Sequence, residues 1–235
     1  MNADSLHVGQ LTFEVRRTAL RRTVELMVDR DGALRIYAPD KMASEELTRW
    51  VKGKMAWVYG RIALKAESRQ NAKLLEFASG ESVNYLGRGY RLKVVQTQTE
   101  ALKFDGARFL LRRNCRARGL ELFRQWYRRT GTEWLQNRVR VLAPRVGSAP
   151  ADIRVRDLGF RWASCNGNGT VQFHWKLLQF PARLVDYIII HELTHLVHPR
   201  HDKDFCACIE RALPDWRERK EQLAEDATRY LSFGA

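Results

Sequence analysis

The first third of the chain alternates apolar and polar residues in short runs. Residues 11–17, 23–28 and 34–37 are rich in β-forming side chains, and Asp29-Arg30-Asp31-Gly32 breaks them as a turn. The period then changes. Leu47, Trp50, Val51, Trp57 and Val58 recur at helical spacing behind Ser44, read as a cap before Glu45-Glu46, which predicts a helix to about Glu67. Alternation returns over residues 83–95, a hairpin turning at Gly87-Arg88-Gly89, and over 108–112. The Gly87–Gly89 pair lacks the third glycine and the following helix of a phosphate loop, so it reads as a tight turn. A long helix is expected over 119–146, with Leu122, Trp126, Trp134, Leu135, Val139 and Leu142 on its apolar side and Pro144 as an early stop. Strands at 153–158 and 170–175 flank the turn Asn166-Gly167-Asn168-Gly169, and two or three helices finish the chain. No internal repeat is visible in this pattern. It predicts an α+β protein, with a mostly β N-terminal region that includes a long helix over 1–117 and a more helical domain over 118–235.

Composition narrows the class. With 235 residues, 45% hydrophobic and 29% charged, the chain can bury an apolar core and is not of disordered composition. No apolar run approaches the ~18 residues of a membrane span, so no membrane contact is expected. Residues 1–10 lack a basic segment followed by an apolar stretch, so no secretory signal is expected. Cys115, Cys165, Cys206 and Cys208 form no CxxC pair and read as reduced thiols in a cytoplasmic protein. A net charge of +14 favours acidic partners. Arg112, Arg113, Arg116, Arg118, Arg124, Arg128 and Arg129 are denser than folding requires, which makes a polyanion contact, nucleic acid or nucleotide, an expectation.

The chemistry concentrates at His191-Glu192-Leu193-Thr194-His195, an HExxH pattern behind the apolar run Tyr187-Ile188-Ile189-Ile190. One helical turn separates the histidines, so both rings leave one face and reach one ion. Glu192 sits ~100° round the helix, displaced from the ligand direction, where it can hold a metal-bound water. A third ligand is needed. His198 lies ~10 Å along the axis from His191, and Pro199 biases it out of the helix. The chain can then turn back at Asp202, the cap of a further helix, and deliver His201. His201 is the preferred third ligand, with His198 and Glu210 as alternatives. The spacing from His191 to His201 is shared with metzincins, but no methionine follows Met55 to make their methionine turn.

Arg161-Trp162-Ala163-Ser164-Cys165-Asn166, Phe173-His174-Trp175-Lys176-Leu177, and Asp186-Tyr187 leading into the HExxH helix and His201 closely resemble the YgjP-like metallopeptidases, relatives of SprT-like proteases. Arg16-Arg17, Arg21-Arg22, Pro39 and Tyr85-Leu86-Gly87-Arg88-Gly89-Tyr90 extend the likeness to nearly the whole chain. Ala163 stands where the family has glycine, and His174 where asparagine is common. The resemblance implies a zincin-like catalytic domain, zinc held by His191, His195 and His201, and Glu192 as the catalytic carboxylate.

The expected reaction is hydrolysis of a peptide or protein substrate, with Glu192 taking the proton of a zinc-bound water. Tyr187, His174 and Arg161 are candidate transition-state or pocket donors. Trp162 and Trp175 are expected in the core beside the site. Two further readings are a metal-dependent nucleotide pyrophosphohydrolase and a nucleic-acid-associated protease.

Overall fold

The computed structural model describes residues 3–19, 21–28, 33–55, 58, 59, 62, 75–159, 161–225 and 230–233. The expected turn at 29–32 and the helix beyond residue 62 lie outside the described residues. The protein is α+β. Its two compact units cover residues 1–71 and 72–234.

In the first unit β1 (Ala3–Val8), β2 (Leu11–Thr18), β3 (Glu25–Val28) and β4 (Leu34–Pro39) form one sheet in the order β1-β2-β4-β3. Each hairpin is antiparallel, and β2 pairs with β4 in parallel, Val15 opposite Ile36. Alternation puts Phe13, Val15, Leu34 and Ile36 on one buried face, against Leu47 and Val51 of α1 (Ser44–Lys52). Ser44 does not cap α1. The cap position is Ala43, and the Ser44 hydroxyl accepts from the Arg17 guanidinium instead.

The second unit opens with β5 (Ser82–Tyr85), β6 (Arg88–Val95), β7 (Leu102–Phe104) and β8 (Arg108–Arg112), ordered β5-β6-β8-β7, again two hairpins joined through a parallel pair. The repeat missing from the residue pattern is therefore present in the topology. The helices that follow echo it. Leu47, Trp50 and Val51 of α1 have the spacing of Phe123, Trp126 and Tyr127 of α2 (Gly119–Val146). Helix α2 runs through Pro144, which falls in its last turn where few ladder bonds remain to be lost.

A second sheet, ordered β10-β11-β9, is made of β9 (Asp152–Arg156), β10 (Ala163–Cys165) and β11 (Thr170–His174). Helices α3 (Ala182–Val197), α4 (Lys203–Ala212) and α5 (Trp216–Glu225) follow a 3-10 turn at Trp175–Gln179. One continuous core joins Phe109 and Leu111 of the four-stranded sheet, Phe123 and Leu135 of α2, Phe173 of β11, and Ile189, Ile190 and Leu193 of α3. The unit boundary consequently falls at 71/72 and not at the expected 117/118, because the second four-stranded sheet buries its apolar face in the core that also carries α3.

Two ties brace this core. Asp186 on α3, almost fully buried, takes two 2.6 Å bonds from Arg138 of α2, and Arg219 of α5 stands 3.9 Å away. The segment 230–233 crosses β5. Ser232 Oγ accepts the Asn84 N–H at 2.8 Å, and the Phe233 ring packs among Phe77, Phe123, Tyr127 and Trp175. No described helix is long and apolar enough to cross a membrane.

Candidate metal centre

Helix α3 is apolar almost all round, as a core helix must be, with Leu184, Val185, Ile188, Ile189, Ile190 and Leu193 buried. It ends at His198, whose φ of −121° is extended, immediately before Pro199. The chain then reverses. Asp202 caps α4 by accepting the Phe205 N–H at 3.0 Å, which sets His201 just ahead of the new helix.

This turn brings the side chains of His191, His195 and His201 together, with one ring nitrogen from each within 4.8 Å of the others. The Nε2 atoms of His191 and His201 are 3.1 Å apart. A tetrahedral ion with nitrogens at ~2.0–2.1 Å sets its ligand atoms about 3.3 Å from one another, so the donor set and spacing fit zinc. Phe205 forms the floor, its ring centroid 4.6–5.1 Å from those of all three histidines. Sequence reasoning missed Phe205, although its place three residues after a capping aspartate was the available signal. Burial drives the His191 pKa down to about 3, and the positive forms of His195, His201 and Lys220 add to the fall. The ring is therefore neutral, with its lone pair available, near pH 7. His195 Nδ1 lies 3.3 Å from the His198 carbonyl, which can only accept, so Nδ1 carries the proton and Nε2 is left to face the cluster. His198 thus contributes its backbone, and its ring is not part of the histidine cluster. Glu210 is engaged elsewhere, accepting from Trp216 Nε1 at 2.8 Å and from Arg217.

Beside the cluster runs a cleft of about 640 Å³ lined by Arg161, β10, the turn from Asn166, Glu192, His195 and His201. Glu192 is buried, and that burial raises its pKa to about 7 against the opposing pull of Arg161 and the Cys165 backbone N–H. A carboxylate so placed exchanges its proton near neutrality. Cys165 also lines the cleft, its thiol pushed up by burial and by the Glu192 charge. Strand β10 is an edge of its sheet.

The three candidate donors separate. Arg161 is exposed and lines the cleft. Tyr187 is buried between the His191 ring, 5.9 Å away edge-on, and the stacked Trp216 ring, 6.5 Å away, with its hydroxyl raised to about 12 by burial and by Glu192. His174 does not reach the cleft. Its Nδ1 accepts the Lys176 N–H at 3.0 Å, so Nε2 carries the proton toward Asp157 at 3.3 Å, and both ring nitrogens are committed to holding the end of β11. Trp175 is buried in the core beside it, whereas Trp162 is only partly buried and packs edge-on over Phe180 at the margin of that core.

The arginine group divides as well. Arg116 donates to the Phe77 and Glu76 carbonyls, and Arg112 to the Gln98 carbonyl and Asn114. These two serve the fold, contrary to the expectation that the cluster exceeds what folding needs.

A family model described as YgjP-like, metallopeptidase domain, matches residues 22–226. No curated protein matches. The crystal structure of the metallopeptidase zymogen of Pyrococcus abyssi abylysin is similar at 22% identity and a TM-score of 0.36, over 38% of this chain and 91% of that one.

Proposed function

The chain belongs to the YgjP-like metallopeptidase family, and on that premise we propose that it is a zinc peptidase whose ion is held by His191, His195 and His201, with Glu192 as the base. As a family member it is a metal-dependent peptidase; the ligand set, the metal and the base are our reading. The observation that carries it is the convergence of three histidine nitrogens beside a buried carboxylate whose pKa lies at about 7.

Zinc would supply Lewis acidity, polarising the scissile carbonyl and acidifying a water to a pKa near 7. Glu192 takes the water proton and passes it to the leaving amine, a task that suits a carboxylate poised near neutrality. The open edge of β10 offers backbone groups to an extended peptide, which would lie in the cleft as an added strand. Arg161, from the cleft wall, and Tyr187, whose hydroxyl keeps its proton at any working pH, are the donors available to a developing oxyanion.

The test separates metal from base. Glu192→Gln should bind zinc at one equivalent and lose casein hydrolysis by ~10²-fold or more. His201→Ala should lose the metal, and His198→Ala should keep it. Wild-type activity in zinc-replete Glu192→Gln, or metal retention in His201→Ala, would contradict the assignment.

A further inference from the structure

The two four-stranded sheets have the same strand order but different charge, one balanced and one basic. Strands β1–β4 contain Asp4, Glu14 and Glu25 against Arg16, Arg17 and Arg35, so acids and bases balance. Glu14 bridges Arg16 and Arg35 at 2.7 and 2.9 Å across the outward face. Strands β5–β8 contain no acid and carry Arg88, Arg91, Lys93, Lys103, Arg108 and Arg112.

The pleat collects these charges. Leu92, Leu102, Phe109 and Leu111 are buried, so the alternate positions Arg91, Lys93, Lys103, Arg108 and Arg112 share the opposite face. Register sets Arg91 directly beside Arg108, and Lys93 and Lys103 on either side of Leu110. Like charges side by side on a sheet oppose its pairing. Among the described residues Asp105 approaches Arg108 at 3.7 Å, Arg91 gives a bond to the Gly80 carbonyl, and Arg112 bonds the Gln98 carbonyl and Asn114. Arg91, Lys93, Lys103 and Arg108 are exposed.

We infer that the outward face of the β5–β8 sheet is a binding platform for the phosphate backbone of nucleic acid. The chemistry of the face selects this partner. The backbones of Arg91 and Arg108 lie about 4.8 Å apart on neighbouring strands, Arg91 and Lys93 are about 6.7 Å apart along one strand, and Lys103 lies one strand beyond Leu110, so several cations are gathered on one face for a ligand with repeated negative charge. A protein partner would need an apolar or aromatic centre, and this face offers only Val95 and Leu110. A bilayer surface would need large apolar side chains to insert. Among the described residues the exposed ones are Tyr59, Leu120, Val141 and Val197, none of them in these strands. The inference stands apart from the histidine centre and does not depend on its chemistry.

The test is fluorescence anisotropy of a labelled oligothymidylate with the full-length protein over a range of salt. Wild type should bind, with a log–log salt slope of about 3 from four contacts at ~0.7 each. Arg91→Gln, Lys93→Gln, Lys103→Gln and Arg108→Gln combined should abolish that slope. Arg91→Lys with Arg108→Lys should keep it, and Arg16→Gln with Arg35→Gln on the first sheet should leave it unchanged. Should the fourfold variant fail to fold, lysine acetylation of wild type replaces it, with the oligonucleotide protecting Lys93 and Lys103. Absence of binding at low salt, a slope untouched by the fourfold change, no protection of the two lysines, or stronger retention on phosphatidylserine vesicles than on the oligonucleotide overturns the proposal.

Discussion

The sheets β1–β4 and β5–β8 repeat one topology, yet one closes on its own helix and the other is absorbed into a larger core. The inner face of the first meets α1 and ends there, with Phe13 and Ile36 fully buried in a small cluster. The inner face of the second meets α2, and through it the 3-10 turn at Trp175–Gln179 and helix residues down to Leu193, on the helix that carries His191 and His195. Identical strand order therefore does not fix a sheet's role; what its helix packs against does. The outward faces diverge independently of the inner ones, since inner positions are constrained by packing and outer ones only by solvent.

The largest test of this contrast uses equivalent core rings. Phe13→Ala and Phe109→Ala should each cost about 3–5 kcal/mol in their own unit. Zinc stabilises whatever binds it. Calorimetry with and without zinc should show the metal raising the transition weakened by Phe109→Ala and not the one weakened by Phe13→Ala. Loss of peptidase activity in Phe13→Ala at a temperature where the second unit remains folded would erase the distinction.

A smaller effect is expected at the matching hairpin turns. Gly9 and Gly87 both have positive φ, +63° and +81°. A Cβ on Gly9 would find only the Tyr59 hydroxyl at 3.7 Å, whereas on Gly87 it would sit 2.7 Å from Pro181 Cα at the head of α3. Gly9→Ala should cost about 1 kcal/mol from backbone strain alone. Gly87→Ala adds a clash with backbone that cannot swing aside and should cost on the order of 3 kcal/mol. Equal losses in denaturant melts would show that the close approach of Gly87 to Pro181 adds nothing to the backbone strain.

The smallest effect tests how the strand side of the cleft tunes the helix side. With Glu192 as the proposed base, which must be ionised to act, kcat/KM should rise with pH through the neutral range, where burial has placed that group at about 7. The positive charge of Arg161 favours the ionised form. Arg161→Gln should therefore move the acid limb of the profile to higher pH, by less than about one unit given the exposure of the arginine. A limb that stays in place, or moves down, removes Arg161 from the electrostatics of the base.

The elements legible in the residue pattern are those written in one stretch. The strand at 108–112 and the helix at 119–146 lie where periodicity puts them. The reversal after Pro199 is carried by local chemistry, a proline that ends one helix and an aspartate that caps the next. Strand β7 and strand β10 were not expected, since three residues apiece give alternation too little length to show. The repeated strand order is not legible in the residue pattern because sheet order depends on which strands pair. The place of His174, one of three candidate donors, is not legible in the sequence, which does not say that Lys176 and Asp157 engage its nitrogens.

The packing of Tyr230–Phe233 sets an order of events during synthesis. Chain segments fold as they leave the ribosome, N-terminal parts first. Everything the first sheet needs is made early. The core around Trp175 and Tyr127 lacks a wall until Phe233 emerges, and Asn84 waits on Ser232 and Tyr230 for partners almost 150 residues downstream. The scaffold of the second unit therefore closes only after residues 230–233 have been made, whereas that of the first does not wait for them.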